Sequence, residues 1–303
     1  MAEDMPVFEL LADDGNLVGE SPLWDPRSGV LWWVDGPSCR LFQLDPRRRE
    51  KVSYSLGHPI AGIALHAEGG LLLSGGGFLR HWRGPGDAQV LAHDASWNFN
   101  DIVVDPQGRL LAGTAYWRHA RMLRPGYLLI FEANGSVRVA DEGILMSNGL
   151  AFSPDSRALY YTDSAARRIY AYDYDLRTGT PSNRRILVQV SQEEGLPDGL
   201  AVATDGSLWS AQWFGQQVVR YSPRGEVIQR YATPVAQVSS VAFGGAKLDE
   251  LFVTSAADAT ESDLAPTDYD YARAPRGGQL WRFRAPLAGL AEHPCQLSPA
   301  AAS

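Results

Sequence analysis

The sequence is poor in several features that would each indicate a class of protein. Basic residues are outnumbered, with 27 Lys and Arg against 35 Asp and Glu among 303 residues, a formal net charge of -8 and a pI near 5.3. No cluster of Lys or Arg is interleaved with aromatic residues along one element. A chain without a basic field has little with which to gather the phosphates of a nucleic acid. The composition therefore argues against a nucleic-acid partner.

Cysteine and long apolar runs are also scarce. Cys39 and Cys295 are too few for a disulfide framework, and neither has a neighbour at metal-ligand spacing, so we expect both thiols to be reduced. No apolar run approaches the roughly 18 residues of a membrane helix. The start, MAEDMPVFEL, is acidic where a signal peptide is basic. The sequence predicts a soluble, cytoplasmic protein that does not interact with a membrane.

Helical periodicity is scarcely visible, and a β-rich repeat takes its place. Hairpins of Leu, Val, Tyr, Trp and Phe recur, as in LYYTDSAARRIYAYDYD and LWSAQWFGQQVVRYSPRG, and each follows a short strand such as GLAFSPDS or GLAVATDG. A period of roughly 40 to 50 residues with about four strands per unit is typical of propeller blades. Six such units predict an all-β, six-bladed β-propeller, one domain over residues 1–303 with short flexible ends. The segment before Gly19 is expected to supply an outer strand that closes the ring.

Polar residues occupy a common register in the first strands of these units. Aligned on their apolar cores, the six strands carry, two positions before the first clearly apolar residue, Glu20, Ala61, Asn100, Asn148, Asp198 and Ser239. The first strand of every blade lines the central channel, so an equal register means an equal height around one axis. Carboxylate and amide oxygens suit Ca²⁺, Mg²⁺ or Mn²⁺. We therefore expect Glu20, Asn148 and Asp198 to meet around one divalent cation, which would offset the burial of two carboxylates.

Asn148 and Asp198 also have a simpler interpretation. Each precedes a Gly, and Asn and Asp in that position are the commonest turn residues, so both side chains could merely cap turns. Glu20 is not a turn residue, and its shared register with the other two favours the cation site.

The chain resembles one known family in five segments that follow one another in the right order. They are GESPLWDPRSGVLWWVD, NFNDIVVDPQGRLLAGT, SNGLAFSPDSRALYYTDS, PDGLAVATDGSLWSAQW and VSSVAFGGAKLDELFVTSA. They resemble the gluconolactonase and regucalcin family, also called the senescence marker protein family, which includes luciferin-regenerating enzymes. The resemblance implies a divalent metal (calcium, zinc, magnesium or manganese) held by Glu20, Asn148 and Asp198, and hydrolysis of a lactone. It also places Asn100 beside the metal, in contact with substrate or water.

The chemistry expected from these parts is attack of water on a lactone carbonyl that the metal polarises. Asp198 is the predicted general base, because a carboxylate at the edge of the coordination sphere can take a proton from that water. No G-x-S-x-G or H-E-x-x-H motif indicates a serine or zincin hydrolase. Two other functions stay open: a metal-dependent aryl or phosphate ester hydrolase, and a non-enzymatic calcium-binding propeller. The expected partner is a small-molecule lactone, and the expected assembly is a monomer or a small homo-oligomer.

The chain departs from the family where substrate is expected to bind. Sugar-acid lactonases of this family often carry Arg two residues before Asn100, where this chain has Asn98. Trp117 and Arg118 stand in a region where those enzymes often carry an acidic residue. We predict that Asn98, Asn100, Trp117 and Arg118 contact the substrate, and the planar fork of Arg118 suits a substrate carboxylate.

Two weaker candidates are His58, near the channel face of the second unit, and the acidic, Tyr-rich stretch at residues 257–277. A lone His is usually structural, although its titration near neutral pH makes a substrate contact conceivable. The stretch is interpreted either as a solvated loop or as a mobile lid over one face.

Overall fold

Strands account for nearly all the regular structure. The structure, a computed structural model, describes residues 7–118, 121–258 and 260–299, and in this part of the chain the one helical element is the 3-10 turn Gln192–Glu194. Branched aliphatic and aromatic side chains dominate the strands because they pack well on a pleated surface. Six four-stranded antiparallel sheets form a ring, which confirms the six-bladed β-propeller.

The described residues form twenty-six strands, and most blades consist of four strands that follow one another in the sequence. The first part of the chain contributes β1 (Glu9–Asp13), β2 (Gly19–Asp25), β3 (Val30–Asp35), β4 (Arg40–Asp45), β5 (Glu50–Ser55), β6 (Gly62–Leu65), β7 (Leu71–Gly75), β8 (Phe78–Gly84), β9 (Asp87–His93), β10 (Phe99–Val104), β11 (Leu110–Thr114), β12 (Tyr116–Arg118), β13 (Arg121–Arg124), β14 (Gly126–Phe131) and β15 (Val137–Ile144). The second part contributes β16 (Ser147–Phe152), β17 (Ala158–Asp163), β18 (Arg168–Asp175), β19 (Thr180–Gln189), β20 (Leu196–Val202), β21 (Leu208–Trp213), β22 (Gln217–Tyr221), β23 (Val227–Ala232), β24 (Val238–Gly244), β25 (Glu250–Ser255) and β26 (Gln279–Arg284).

The two ends of the chain meet in the sixth blade. Blades one to five are β2–β5, β6–β9, β10-β11-β14-β15, β16–β19 and β20–β23, and β12–β13 is a separate hairpin above blade three. The sixth blade has the order β24-β25-β26-β1, in which β1 pairs antiparallel with β26. Arg282 of β26 forms ion pairs with Glu9 of β1 and Glu250 of β25. The outer strand predicted from the segment before Gly19 is confirmed.

The hydrophobic core is divided among the junctions of the blades. Among the described residues, six large apolar clusters each lie between two neighbouring sheets. Trp33 stacks on Phe42 with ring centroids 4.8 Å apart, and Trp209 meets Phe243 of the next blade edge to face at 5.6 Å. Burial of such a side chain stabilises the fold by roughly 1.5–3 kcal/mol. Each blade therefore depends on both neighbours for its core.

The direction of the strands separates two faces of the ring. The innermost strand of each blade starts at the face that we call upper, so the β12–β13 hairpin and residues 256–278 lie at the upper face. The C-terminal segment (residues 285–299) follows β26 and crosses the lower face, where Leu290 N donates to Val202 O in blade five and Cys295 N donates to Leu65 O in blade two. The channel is thus crossed from below by the chain's own C-terminal segment.

Several sequence expectations concern the outside of this ring. Cys39 lies in an upper turn and Cys295 is buried at the lower face, and both are free, as predicted. Within the described residues, no helix has the length and apolar character needed to cross a bilayer. The ends expected to be flexible, residues 1–6 and 300–303, lie outside the described residues.

The innermost strands of neighbouring blades approach too closely for a side chain at two glycines. A Cβ on Gly149 would lie 2.5 Å from the backbone N of Leu200, and a Cβ on Gly199 would lie 2.1 Å from Ser240 Oγ. Neither glycine has a positive φ. These glycines are therefore required by the spacing between blades and not by a turn.

We predict that Gly149→Ala lowers the free energy of unfolding by about 1–3 kcal/mol, because the new methyl group overpacks the junction of blades four and five. Thermal and denaturant unfolding would measure the change. The control is Gly57→Ala, where φ is +70° and the space around the new Cβ is open, so that backbone strain alone acts. A smaller loss for Gly149→Ala than for Gly57→Ala would contradict the close approach.

Candidate metal and substrate site

A backbone irregularity recurs at one point in the innermost strands. In five blades the pairing between the first and second strand shifts register near the upper end of the channel. The residues at or within these shifts are Glu20, Asn100, Asn148, Asp198 and Ser239. A bulge bends a strand and re-aims a side chain, and bulges are common next to functional sites. The common register read from the sequence thus coincides with a common local distortion.

The turn-cap interpretation of Asn148 and Asp198 is wrong. Both residues lie inside strands, β16 and β20, and the glycine after each has a backbone conformation open to other residues. Gly149 and Gly199 are needed because the adjacent blade leaves no room for a side chain. The polar residues therefore head channel-lining strands.

Three carboxylates face one another across the channel. Asp198 is 4% exposed, and burial together with the charges of Glu20 and Asp101 raises its pKa well above the usual value. Burial and the charge of Asp101 raise the pKa of Glu20 to about 8. Burial raises the pKa of Asp101 to about 7, against a backbone hydrogen bond from Ile102 that lowers it. Without a cation, this part of the channel favours protonated carboxyl groups.

Asp101 was not predicted from the sequence. In a regular strand it would point away from Asn100, because successive side chains alternate between the two faces. The register shift between Phe99 and Asp101 removes this alternation. The sequence would have predicted Asp101 as a second polar group in the channel only if the bulge had been known.

The amides of blades three and four form a hydrogen-bonded chain. Asn100 Nδ2 donates to Ser147 O at 2.6 Å and to Asn148 Oδ1 at 2.8 Å. Asn148 Nδ2 donates to Ser164 Oγ at 2.9 Å, and Ser164 Oγ donates to Pro197 O at 2.6 Å. Because a carbonyl oxygen has two acceptor sites, Asn148 Oδ1 can still ligate a cation. These hydrogen bonds connect the predicted ligand Asn148 to Pro197, the residue that precedes Asp198.

The residues at the upper channel fit a divalent cation. Asp198 Oδ1 is buried and finds no hydrogen-bond partner among the described residues. In the same part of the chain, no Lys, Arg or His forms an ion pair with Glu20, Asp101 or Asp198. Buried carboxylates without a counter-charge are costly, and hard oxygen donors of this kind suit Ca²⁺, Mg²⁺ or Mn²⁺. Glu20, Asn148 and Asp198 could therefore hold such an ion.

A second group of possible metal ligands lies near the lower face. Ligand atoms of His66, Glu68 and His81 lie within 4.8 Å of one another, and the two imidazole rings stack at 3.7 Å. Each ring already donates from Nε2 to a backbone carbonyl, which for His66 is Leu297 O at 3.1 Å. Arg83 donates to His81 Nδ1 at 3.1 Å and places a positive charge beside it. Because these contacts occupy the ring nitrogens, we interpret the histidine pair as holding the C-terminal segment through Leu297 and not as a metal site.

The lower half of the channel holds two further ionisable groups. Glu292 and His293 of the C-terminal segment line a cavity of about 50 Å³ together with Asp101. Partial burial lowers the pKa of His293, which favours its neutral form. The charge of Glu292 also raises the pKa of Asp101. The sequence did not indicate these groups, because the C-terminal segment lies outside the blade repeat.

Two of the predicted substrate residues are held by backbone carbonyls. Asn98 Nδ2 donates to Ala115 O at 2.5 Å, so its amide nitrogen joins the loop before β10 to the end of β11. Trp117 is half-buried, and its Nε1 donates to Leu145 O at 2.8 Å. Both residues lie at the upper face, and each of these hydrogen bonds stabilises the local structure.

Arg118 is exposed, whereas His58 is half-buried. Arg118 ends β12 on the hairpin above blade three. His58 is half-buried in the connection from blade one to blade two, where its Nδ1 lies 3.2 Å from Pro59 O. No contact in the described residues joins His58 to the carboxylates of the channel, so it is not part of the candidate site.

The stretch at residues 257–277, which we name the upper loop, is docked on blade five. Tyr269 and Tyr271 pack edge to face on Phe214 at 4.7 and 6.0 Å. Arg167 donates to Leu264 O at 2.6 Å. The upper loop also packs on Leu196, two residues before Asp198, and its residue 259 lies outside the described residues. These aromatic contacts correct the expectation of a merely solvated loop.

Fold and site together define a β-propeller with a carboxylate and amide centre at one end of its channel. The chain belongs to the SMP-30/Gluconolactonase/LRE-like family, whose model matches residues 18–257. The family resemblance read from the five sequence segments is thereby confirmed.

Similar proteins cover nearly the whole chain. A regucalcin of Xenopus laevis is 34% identical over 91% of this chain and 93% of its own. A pentonolactonase of Haloferax volcanii is 34% identical over 93% of this chain and 96% of its own. Among solved structures, a luciferin-regenerating enzyme superposes with a TM-score of 0.87 and 29% identity, covering 96% of this chain and 100% of that one.

Chelation should lower the melting temperature, because a cation bound by the folded state alone stabilises it by mass action. At a cation concentration of 100 times Kd the expected gain is about 2.7 kcal/mol. Differential scanning fluorimetry with and without EDTA, followed by addition of Ca²⁺, Mg²⁺, Mn²⁺ or Zn²⁺, measures it. Equal shifts in the wild type and in Glu20→Gln would place the cation elsewhere.

The stability of the cation-free protein should fall as pH rises from about 5 to 8. The folded state binds a proton on Glu20 up to a pKa of about 8, whereas an unfolded Glu releases it near 4.3. Over that interval the folded state holds more protons, so the free energy of unfolding decreases with pH. Melting temperatures across this range should show a slope that saturating divalent cation and Glu20→Gln both reduce. A slope unaffected by either would contradict the carboxylate cluster.

Proposed function

We propose that this protein is a divalent-cation-dependent lactonase that opens a sugar-acid or related lactone at the upper end of the channel. The observation that carries the proposal is the buried, unpartnered Asp198 Oδ1, which faces the carboxylates of Glu20 and Asp101. Such an arrangement stores electrostatic repulsion that a cation would relieve. The relative named a pentonolactonase supports lactone chemistry.

Glu20, Asn148 and Asp198 would hold the cation through carboxylate and amide oxygens. When bound, the ion supplies Lewis-acid polarisation of the lactone carbonyl. Ca²⁺, Mg²⁺, Mn²⁺ and Zn²⁺ are the ions to test, since oxygen ligands of this kind do not choose among them. The hydrogen bond from Asn100 to Asn148 Oδ1 orients the Asn148 amide towards the channel.

Asp198 would act as the general base. Its carboxylate takes a proton from the attacking water as the water oxygen bonds to the carbonyl carbon. The bond between the carbonyl carbon and the ring oxygen then breaks, and the proton held by Asp198 passes to the departing ring oxygen. The product is an open-chain hydroxy acid, which loses a proton to solvent near neutral pH. The C-terminal segment, which crosses the lower face, would limit the entry of water from that side.

The substrate would lie against the upper ends of blades three and four. Asn100 is placed to contact it beside the cation, and Asn98, Trp117 and Arg118 would form the wall on the side of the β12–β13 hairpin. The upper loop would form the opposite wall, because it is docked next to the strand that carries Asp198. The proposed partner is thus a small molecule. A cytoplasmic location, a monomer or small homo-oligomer and a single domain over residues 1–303 stay predictions.

A lactone panel tests the proposal. Chelator-treated protein would receive each of the four cations in turn, and ring opening would be followed by proton release. We expect turnover of at least one five- or six-membered sugar-acid lactone that depends on the cation. Turnover of aryl or phosphate esters alone would reassign the protein as an esterase. Tight Ca²⁺ binding without turnover of any ester would make it a calcium-binding propeller.

Two substitutions separate catalysis from cation binding. Asp198→Asn keeps one oxygen ligand but removes the base, so kcat should fall about 10²- to 10⁴-fold even at saturating cation. Asn148→Ala should lose activity mainly through weaker cation binding, and added cation should restore part of it. Initial rates against cation concentration measure both effects.

The matched control is Asp175→Asn, the same chemical change at the exposed lower end of β18, which should leave kcat unchanged. If Asp198→Asn kept most of its activity at saturating cation, the general base would lie elsewhere in the channel.

A further inference from the structure

Two buried aspartates end the second strands of blades one and four. Asp35 ends β3 and pairs in the sheet with the residue before Glu20. Asp163 ends β17 and pairs with the residue before Asn148. The two aspartates therefore occupy the same place in their blades, beside the start of a strand that carries a predicted cation ligand.

In blade one, the Asp35 carboxylate binds the backbone that leads into β2. Leu17 N donates to Asp35 Oδ2 at 3.1 Å, and Val18 N donates to Asp35 Oδ1 at 3.2 Å. The backbone N of Gly36 donates in turn to Val18 O at 3.2 Å. These hydrogen bonds fix the chain at the positions two and three residues before Glu20.

Blade four repeats this arrangement atom for atom. Leu145 N donates to Asp163 Oδ2 and Met146 N donates to Asp163 Oδ1, both at 2.9 Å. The backbone N of Ser164 donates to Met146 O at 3.0 Å. The bound residues again stand two and three positions before the predicted ligand, here Asn148. We name residues 17–18 and 145–146 the entry segments.

Blades three and six use the same strand end differently. Thr114 ends β11 in blade three, and its Oγ1 accepts a hydrogen bond from Tyr127 N at 2.8 Å. Ser255 ends β25 in blade six, and its Oγ accepts from Gly278 N and Gln279 N, both at 3.0 Å. Both hydroxyl groups thus bind the start of the third strand of their own blade and not the backbone before the innermost strand.

Blades two and five have no carboxylate at this place. In blade two β7 ends with Gly75, and in blade five Gln212 pairs with the residue before Asp198. The strand that carries Asp198 is held through a carbonyl instead, since Ser164 Oγ of blade four donates to Pro197 O at 2.6 Å. Within the described residues, an aspartate that binds two consecutive amides in this way therefore belongs to blades one and four.

Both carboxylates are buried without a counter-charge. Asp35 is 4% exposed and Asp163 is 1% exposed. The ion pairs among the described residues involve neither of them. Backbone N–H groups therefore supply the charge-assisted hydrogen bonds that replace water around each carboxylate. Because breaking such bonds would leave a buried charge unsatisfied, each entry segment is held firmly.

We propose that Asp35 and Asp163 are positioning residues that set the cation affinity of the channel site by fixing the backbone before Glu20 and Asn148. The inference rests on the cation site of the proposed function. A ligand that is already held in place loses less conformational freedom when the ion binds, and groups that orient metal ligands strengthen binding for this reason. Neither aspartate touches the reacting atoms, so the effect is on cation affinity.

Asp35→Asn and Asp163→Asn test the inference one blade at a time. Asparagine keeps the size of the side chain but turns an NH₂ group towards one of the two donating amides, so the entry segment loses a hydrogen bond. Each variant should raise the Kd of the cation about 10- to 100-fold. Because Asp198 is untouched, kcat at saturating cation should stay close to the wild-type value. Isothermal titration calorimetry of chelator-treated protein with Ca²⁺, Mg²⁺, Mn²⁺ and Zn²⁺ in turn measures the Kd.

Asp45→Asn is the matched control. Asp45 ends β4 at the lower face, and its Oδ1 accepts from Arg47 N at 2.9 Å and from Arg48 N at 3.2 Å. The same substitution there removes the same kind of contact far from the channel site. It should leave the Kd of the cation at the wild-type value.

Double variants separate positioning from a general loss of stability. Asp35→Asn should raise the Kd strongly in the Asn148→Ala background and much less in the Glu20→Gln background, because its effect passes through Glu20. Asp163→Asn should show the reverse preference. Equal effects in both backgrounds would mean that the aspartates only stabilise the fold, and this result would overturn the inference.

Hydrogen exchange in the wild type provides a second measurement if an asparagine variant does not fold. Coupling between two sites is reciprocal, so a cation that is bound more tightly when the entry segments are fixed must also fix the entry segments. Added cation should slow the exchange of the amides bound by Asp35 and Asp163 and leave those bound by Asp45 unchanged. Unchanged exchange at the entry segments in a cation-bound protein would contradict the inference.

The outcomes separate this inference from the proposed function. Wild-type cation affinity in both single variants overturns the inference and leaves the lactonase intact. Weaker cation binding by the variants, together with a wild type that turns over no lactone, supports the inference and overturns the lactonase. A wild type that binds none of the four cations overturns both.

Discussion

The mutual repulsion of carboxylates around one narrow axis is the constraint on which the rest of this structure depends. Glu20, Asp101 and Asp198 come from three different blades, and burial among neighbouring negative charges raises the pKa of each. Bringing these groups together without a counter-charge costs free energy, which the packing between the blades must exceed. Six apolar clusters between the blades hold the ring together against this repulsion.

Backbone geometry is what turns repeated strands into a site. Register shifts in five innermost strands aim polar side chains into the channel, and glycines after two of them let adjacent strands approach closely. The C-terminal segment then crosses the lower face, held in part by the stacked pair His66 and His81. The proposed site consequently lies at the upper end, where the β12–β13 hairpin and the upper loop can differ without disturbing the ring.

Much of this arrangement could be predicted because it repeats. Blade count, closure by the segment before Gly19 and the register of Glu20, Asn148 and Asp198 all follow from apolar periodicity, which reports strands that must be buried on both faces. Asp101 and Glu292 could not be predicted by the same route. Asp101 turns towards the channel through a bulge that leaves no local signature, and Glu292 arrives on a segment outside the repeat.

A feature of this protein could be predicted from the sequence when it depends on residues close together in the chain, and could not when it depends on residues far apart. Periodicity and turn residues are local properties, so the chain alone was sufficient for an all-β propeller and for the alignment of its polar positions. Whether Asn148 caps a turn or faces the channel, and whether residues 257–277 are solvated or packed on Phe214, depended on contacts between distant segments. Those contacts exist only when the ring has closed, because the partners are brought together by the packing of blades and not by the sequence around them.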